Sequence, residues 1–219
     1  QKKRFGQIHT YEQWLQPYLV SNTLQLLQSE IPKLRNRIES VQLCFTTDPF
    51  MYEFDEIAKM SKDAIRLLNL NGIKCTVLTK GILPLELGDK KNYSMDNEYG
   101  ITLISLDEKY REKMEPYAAP YQQRIDALKA LHDSGCKTWI SMEPYPTPNL
   151  IDQDINELLE AVSFTDKIIF GRTNYCKEVS LGYPQHKHFY NEKAKQVIDF
   201  CEKNKIDSYI KEKTITPDI

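Results

Sequence analysis

No stretch of the 219-residue chain stays apolar for the roughly 18 residues a membrane span needs. No charged segment followed by an apolar run opens it, so no signal-peptide pattern is present. An excess of one charge is missing too. Twenty-nine Lys and Arg stand against 31 Asp and Glu, a net charge of −2. No global basic field recruits nucleic acid, although a local basic groove could hide in that sum. Cysteines number five, at positions 44, 75, 136, 176 and 201, without a close pair. That spacing excludes a locally read zinc or cluster site, and the odd count argues against a disulfide framework. Reduced, buried thiols in a cytoplasmic protein are the expectation. Sequence repeats and low-complexity tracts are also missing, which excludes solenoids and biased linkers. The first residue is Gln, not Met, and the chain is expected to begin partway into a longer gene product.

What is present is a core and a rhythm. Apolar residues make up 41% and charged residues 27%, enough for a core beneath an ordinary solvated surface. The organising stretch is Val41-Gln42-Leu43-Cys44-Phe45-Thr46-Thr47-Asp48-Pro49, a short apolar run stopped by polar residues and a proline. Such a run reads as a buried strand. The pattern recurs where 75–78 ends in Thr79-Lys80, 101–104 in Ser105, 138–142 in Glu143, and 167–170 in Gly171-Arg172-Thr173-Asn174. Polar residues just past parallel strands face the pocket of an α/β barrel or sheet.

Amphipathic helices alternate with these strands. Thr10 can cap a helix reaching about residue 30, with a break at Pro17. Further helices are expected over 54–70, ended by Asn71-Gly72, and 122–133, ended by Ser134-Gly135. Others are expected over 108–114, 154–162 and 191–203, with a last short strand at 208–210. Residues 143–148 read as a stiff proline loop, and 1–6 as a basic loop. Six alternations argue for a parallel sheet, whose right-handed crossovers send every strand C-terminus to one face. One domain over 1–219 is expected, with 175–219 as its C-terminal extension.

Thr46-Thr47-Asp48-Pro49, Leu78-Thr79-Lys80, the strand-closing Ser105, and Arg124-Ile125-Asp126-Ala127-Leu128 before Gly135 together resemble the radical S-adenosylmethionine enzymes, in the branch of spore photoproduct lyase. The likeness covers about 41–143 well and the remainder loosely. It implies a partial (β/α)6 TIM-like barrel holding S-adenosylmethionine against a 4Fe-4S cluster, with a 5′-deoxyadenosyl radical abstracting hydrogen. Lys80 matches the lysine that meets the cofactor carboxylate, and Thr47 and Ser105 match supporting hydroxyls. The resemblance also implies an electron donor such as flavodoxin or ferredoxin, and a nucleic acid or nucleotide-like substrate.

Two departures stand out. The family's CxxxCxxC signature is absent from these residues, and it is expected upstream of Gln1 together with the barrel's first strand. Phe45 occupies the position of the lyase's hydrogen-donating cysteine. Cys44 lies one residue earlier, where strand alternation aims it at the opposite face, so it reads as a core thiol.

Asp48, Glu143, Arg172 and Asn174 are further pocket candidates. Arg172 and Asn174 suit a phosphate or a nucleobase edge, but Arg172 could equally pair with Glu143 across the mouth. His186-Lys187-His188 is a poor ligand set and reads as a solvated loop. Tyr175, Tyr183, Phe189 and Tyr190 could stack bases or pack the C-terminal loop. Tyr117 and Tyr121 could relay a radical or pack the barrel's outside. Two other classes remain open: a cluster-less barrel serving as a binding subunit, and a metal-independent enzyme using Lys80 and Glu143 as base and acid.

Overall fold

Short β-branched runs separated by amphipathic helices can bury both faces of a sheet only when the strands run parallel under a helical cover. The computed structural model, which describes residues 9–216, has that arrangement. Strands β1 (Ser40–Gln42), β2 (Lys74–Thr79), β3 (Glu98–Thr102), β4 (Lys137–Tyr145), β5 (Lys167–Arg172) and β6 (Asp207–Ile210) pair side by side in chain order. Every pairing is parallel. The sheet does not close, so the architecture is a partial TIM-like barrel. The expected first strand and cluster loop, and the basic 1–6 loop, lie outside the described residues.

Thr10 caps α1 (Tyr11–Trp14) through its hydroxyl and the Gln13 side chain, and the chain breaks at Pro17 before α2 (Thr23–Leu34). The break expected at Pro17 thus separates two helices, since proline cannot donate a backbone hydrogen bond. Helix α3 (Asp55–Leu70) ends at Gly72, whose φ of +74° favours glycine. A 3-10 turn spans Leu85–Gly88, then α4 (Glu108–Met114) and α5 (Tyr121–Asp133) precede β4. Helix α6 (Ile155–Ala161), the short α7 (Lys177–Ser180) and α8 (His186–Asn204) complete the set.

Several boundaries differ from the sequence reading. The strand expected over 41–46 stops at Gln42. Leu43 still donates its N–H to the Thr76 carbonyl, but Cys44 turns into the left-handed region at φ 53°. Strand β3 begins three residues earlier than expected, at Glu98, and β4 runs on to Tyr145 through Pro144, the first proline of the expected loop. The cis Glu143-Pro144 bond and an irregular register between Met142 and Tyr145 accommodate that run. His186-Lys187-His188, expected in a loop, forms the first turn of α8.

The core lies between sheet and helices. Ile101, Ile140 and Ile168 on three neighbouring strands are fully buried. Leu128 and Leu131 of α5 and Ala194, Val197 and Cys201 of α8 pack against them. On β2, Cys75, Val77 and Thr79 are buried, and Cys75 contacts Asn69 of α3. By alternation Thr76, Leu78 and Lys80 point to the opposite, partly open face. Among the described residues no helix is long and apolar enough to cross a membrane.

Candidate active site

Parallel pairing brings the residues following each strand to one rim. The segment after β1 is tied to the end of β2 by a single carboxylate. Asp48 Oδ1 accepts the N–H of Phe50 at 2.9 Å and the hydroxyl of Thr79 at 2.5 Å, while Oδ2 accepts the N–H of Lys80 at 2.7 Å. Gly81 follows, where a Cβ would lie 1.7 Å from the Phe50 carbonyl oxygen. Glycine is needed because the two loops touch backbone to backbone. Asp48, a sequence-stretch candidate for the pocket, thus has its acceptors taken up by the scaffold.

Lys80 is the central cation. Its ammonium lies 2.5 Å from Glu115 Oε1, and its side chain remains 43% exposed whereas that of Glu115 is 3% exposed. The other Glu115 oxygen meets Arg124 Nη1 at 3.1 Å. Arg124 is fully buried and also donates to the carbonyls of Ala119 at 2.7 Å and Thr102 at 2.9 Å. Tyr121, buried at the start of α5, lies under the Arg124 guanidinium at 4.9 Å. Burial first, and then the Glu115 charge, push the Tyr110 phenol up to about 12 and that of Tyr121 upward as well. Two cations therefore share one buried carboxylate, leaving a surplus positive charge at the exposed end.

The two hydroxyl candidates stand differently. Ser105 is buried, and its Oγ accepts the N–H of Asp107, whose carboxylate in turn caps α4. Ser105 also lines an open cleft of about 630 Å³ between the loop after β3 and the segment before α6. Thr47 is exposed on the turn after β1. Cys44, expected as a core thiol, is exposed, because the left-handed turn interrupts strand alternation. Phe45 beside it is 88% exposed.

Glu143 does not pair with Arg172. Its carboxylate lies 3.5 Å from Lys211, and its side chain lies against Gly171, where a Cβ would sit 2.8 Å from Cδ. Arg172 Nε instead donates to Asn174 Oδ1 at 2.9 Å. The pairing of Lys80 with Glu143 as acid and base is not formed either, since the carboxylate that Lys80 meets is Glu115. Tyr183, Phe189 and Tyr190 form a packed aromatic group with Tyr145, and the Tyr190 hydroxyl donates to the Tyr145 carbonyl at 2.8 Å. Tyr175 and Tyr117 are exposed.

Sequence reasoning singled out Arg124 only as part of a motif, and it missed Glu115. The signal for Arg124 was present. It shares the 124, 128, 131 stripe with Leu128 and Leu131, so it had to be buried and paired. Glu115 precedes a proline in a loop and carries no periodic signal. Among the described residues no three His, Cys, Asp or Glu side chains are grouped to hold a metal ion.

Residues 4–162 match the sequence model of the Radical SAM superfamily. An uncharacterized protein of Acidianus two-tailed virus, ORF301, is 22% identical over 150 residues, which is 68% of this chain and 49% of that protein. The uncharacterized protein MJ0683 of Methanocaldococcus jannaschii is 32% identical over 77 residues, 35% of this chain and 29% of its own. The chain thus spans half or less of these curated relatives. Among solved structures, spore photoproduct lyase complexed with dinucleoside spore photoproduct superimposes with a TM-score of 0.56 at 15% identity. The superposition covers 86% of this chain and 66% of that one, and it establishes the fold.

Proposed function

Because this chain belongs to the radical S-adenosylmethionine superfamily, we propose that it binds S-adenosylmethionine at the C-terminal rim of its sheet, with Lys80 facing the cofactor carboxylate. The observation that carries this reading is the half-exposed Lys80 ammonium, whose buried counter-ion is shared with a second cation. An anionic group arriving there completes the charge balance, and a charge-assisted hydrogen bond to lysine is stronger than a neutral one. Ser105, at the end of the neighbouring strand β3, and Thr47, on the turn after β1, are the hydroxyls assigned to support the methionyl part.

A reduced 4Fe-4S cluster beside bound S-adenosylmethionine would supply the electron for reductive cleavage of the cofactor, while Lys80, Thr47 and Ser105 would hold and orient its methionyl part. The five cysteines of this chain do not fit such a cluster. Cys75, Cys136 and Cys201 are buried, and no grouping of metal ligands exists among the described residues. The residues of this chain therefore serve to bind and orient the cofactor. The reading includes a small electron-transfer protein, such as flavodoxin or ferredoxin, as the donor.

The substrate we propose is nucleic acid or a nucleotide-like molecule. Arg172 closes β5 and Asn174 follows it, near the fully exposed Tyr175, a cation and an amide next to a ring on which a base can stack. The bound dinucleoside belongs to the structurally similar lyase. Phe45 carries no S–H to donate to a substrate radical, so a different fate for that radical belongs to the proposal.

Equilibrium dialysis tests the cofactor assignment. Lys80→Met is expected to weaken S-adenosylmethionine binding roughly 10- to 100-fold, the range of one charge-assisted hydrogen bond. Unchanged affinity overturns it.

A further inference from the structure

We propose that Glu115 is a positioning residue, which, anchored by Arg124, holds the Lys80 ammonium in place for a carboxylate-bearing ligand. The inference rests on the reading of Lys80 given above. A lysine on a loop ordinarily samples many rotamers, and ordering it on binding costs affinity. Here that order exists beforehand. The side chain is held at its tip by Glu115 at 2.5 Å, and the backbone is held on both sides. Lys80 N–H donates to Asp48, and the Lys80 carbonyl accepts the N–H of Ala119 at 2.9 Å. Both the ammonium and the carbonyl of Lys80 thus contact the same 115–119 segment.

Glu115 could be read as nothing more than the counter-ion of Arg124. That role requires one carboxylate oxygen, and Arg124 Nη1 takes Oε2. The second oxygen is directed to Lys80, a half-exposed cation that needs no internal counter-ion to be tolerated at the rim. The formal charges are +1 for Lys80, −1 for Glu115 and +1 for Arg124, a sum of +1. Glu115 can therefore orient the lysine without cancelling its attraction for an anion, and it is Arg124 that preserves this balance. Arg124 in turn cannot shift, because its guanidinium is tied to the carbonyls of Thr102, at the end of β3, and Ala119.

The test measures binding of two ligands, S-adenosylmethionine and 5′-methylthioadenosine, which lacks the carboxylate. It uses the protein purified without oxygen and kept without reductant, so that no turnover occurs. Glu115→Gln should weaken S-adenosylmethionine about tenfold and leave methylthioadenosine unchanged. In a Lys80→Met background the same substitution should add nothing, because the group it positions is gone. Should Glu115→Gln fail to fold, the double variant Glu115→Met with Arg124→Met replaces the buried pair by apolar groups of similar volume and should give the same selective loss. Unchanged S-adenosylmethionine affinity in a folded Glu115 variant, alongside a loss in Lys80→Met, overturns the positioning role and upholds Lys80. Equal losses for both ligands overturn it as well, since they report general damage. No loss in Lys80→Met overturns the Lys80 reading and this inference with it.

Discussion

Asp48 Oδ2 accepts the backbone N–H of Lys80 at 2.7 Å, while Oδ1 accepts from Thr79 and Phe50, so one carboxylate clasps the turn after β1 to the end of β2. Removing it leaves several part-buried donors unmatched. Asp48→Ala should lower stability by about 2–4 kcal/mol, since bonds to a charged acceptor are each worth about 1.5–3 kcal/mol and are not additive. The midpoint of urea unfolding measures this, and a shift equivalent to less than about 0.5 kcal/mol, an ordinary surface effect, would remove the clasp from the account.

The cysteines should separate by reactivity. Cys75, Cys136 and Cys201 are buried, and desolvation holds the thiol of Cys75 up at about 12 and that of Cys201 at about 11. Cys44 is an exposed residue, although its crowded sulfur and the nearby Asp48 charge still raise its thiol. Since the thiolate is the reactive form, iodoacetamide at pH 8 should label Cys44 in the native protein and reach Cys75 only after unfolding. Mass spectrometry of the labelled peptides reads the order directly. A protected Cys44 would mean that the turn after β1 is covered.

Alkaline pH should unfold the protein. Tyr99, Tyr110, Tyr121 and Tyr145 are buried, and desolvation raises all four phenols, that of Tyr110 to about 12. A folded-state pKa above the unfolded value of about 10 means stability that is complete below pH 10 and lost as pH climbs toward the folded value. For Tyr110 alone a rise of two units is worth on the order of 3 kcal/mol. Unfolding free energies at pH 9 and pH 11.5 should differ by at least that amount. A flat profile would show that these phenols ionise in the native state.

The fold was largely legible in the residues. Apolar runs stopped by polar ones located β1 to β5 to within a few residues, because the central strands are buried on both faces and burial there demands continuous hydrophobicity. Asn71-Gly72 and Ser134-Gly135 marked helix ends because a left-handed turn there favours glycine. Where the reading slipped, long-range pairing overrode local preference. Proline argued for a loop at 143–148, yet pairing with β5 carried the strand to Tyr145. Alternation argued for a buried Cys44, yet the turn into the Asp48 clasp reversed its backbone and exposed it.

The sequence by itself determined the parallel α/β architecture, its common rim of polar residues and the place of Lys80 just past β2, since periodicity and strand-end chemistry are local properties. Only the tertiary structure decided what each of those side chains meets. Glu115 lies 35 positions from Lys80 in the chain, and Lys211 lies 68 from Glu143, separations across which no residue spacing carries information. Which carboxylate neutralises which cation depends on how β2, the loop after α4 and the first turns of α5 come together. That geometry follows from packing the shared core.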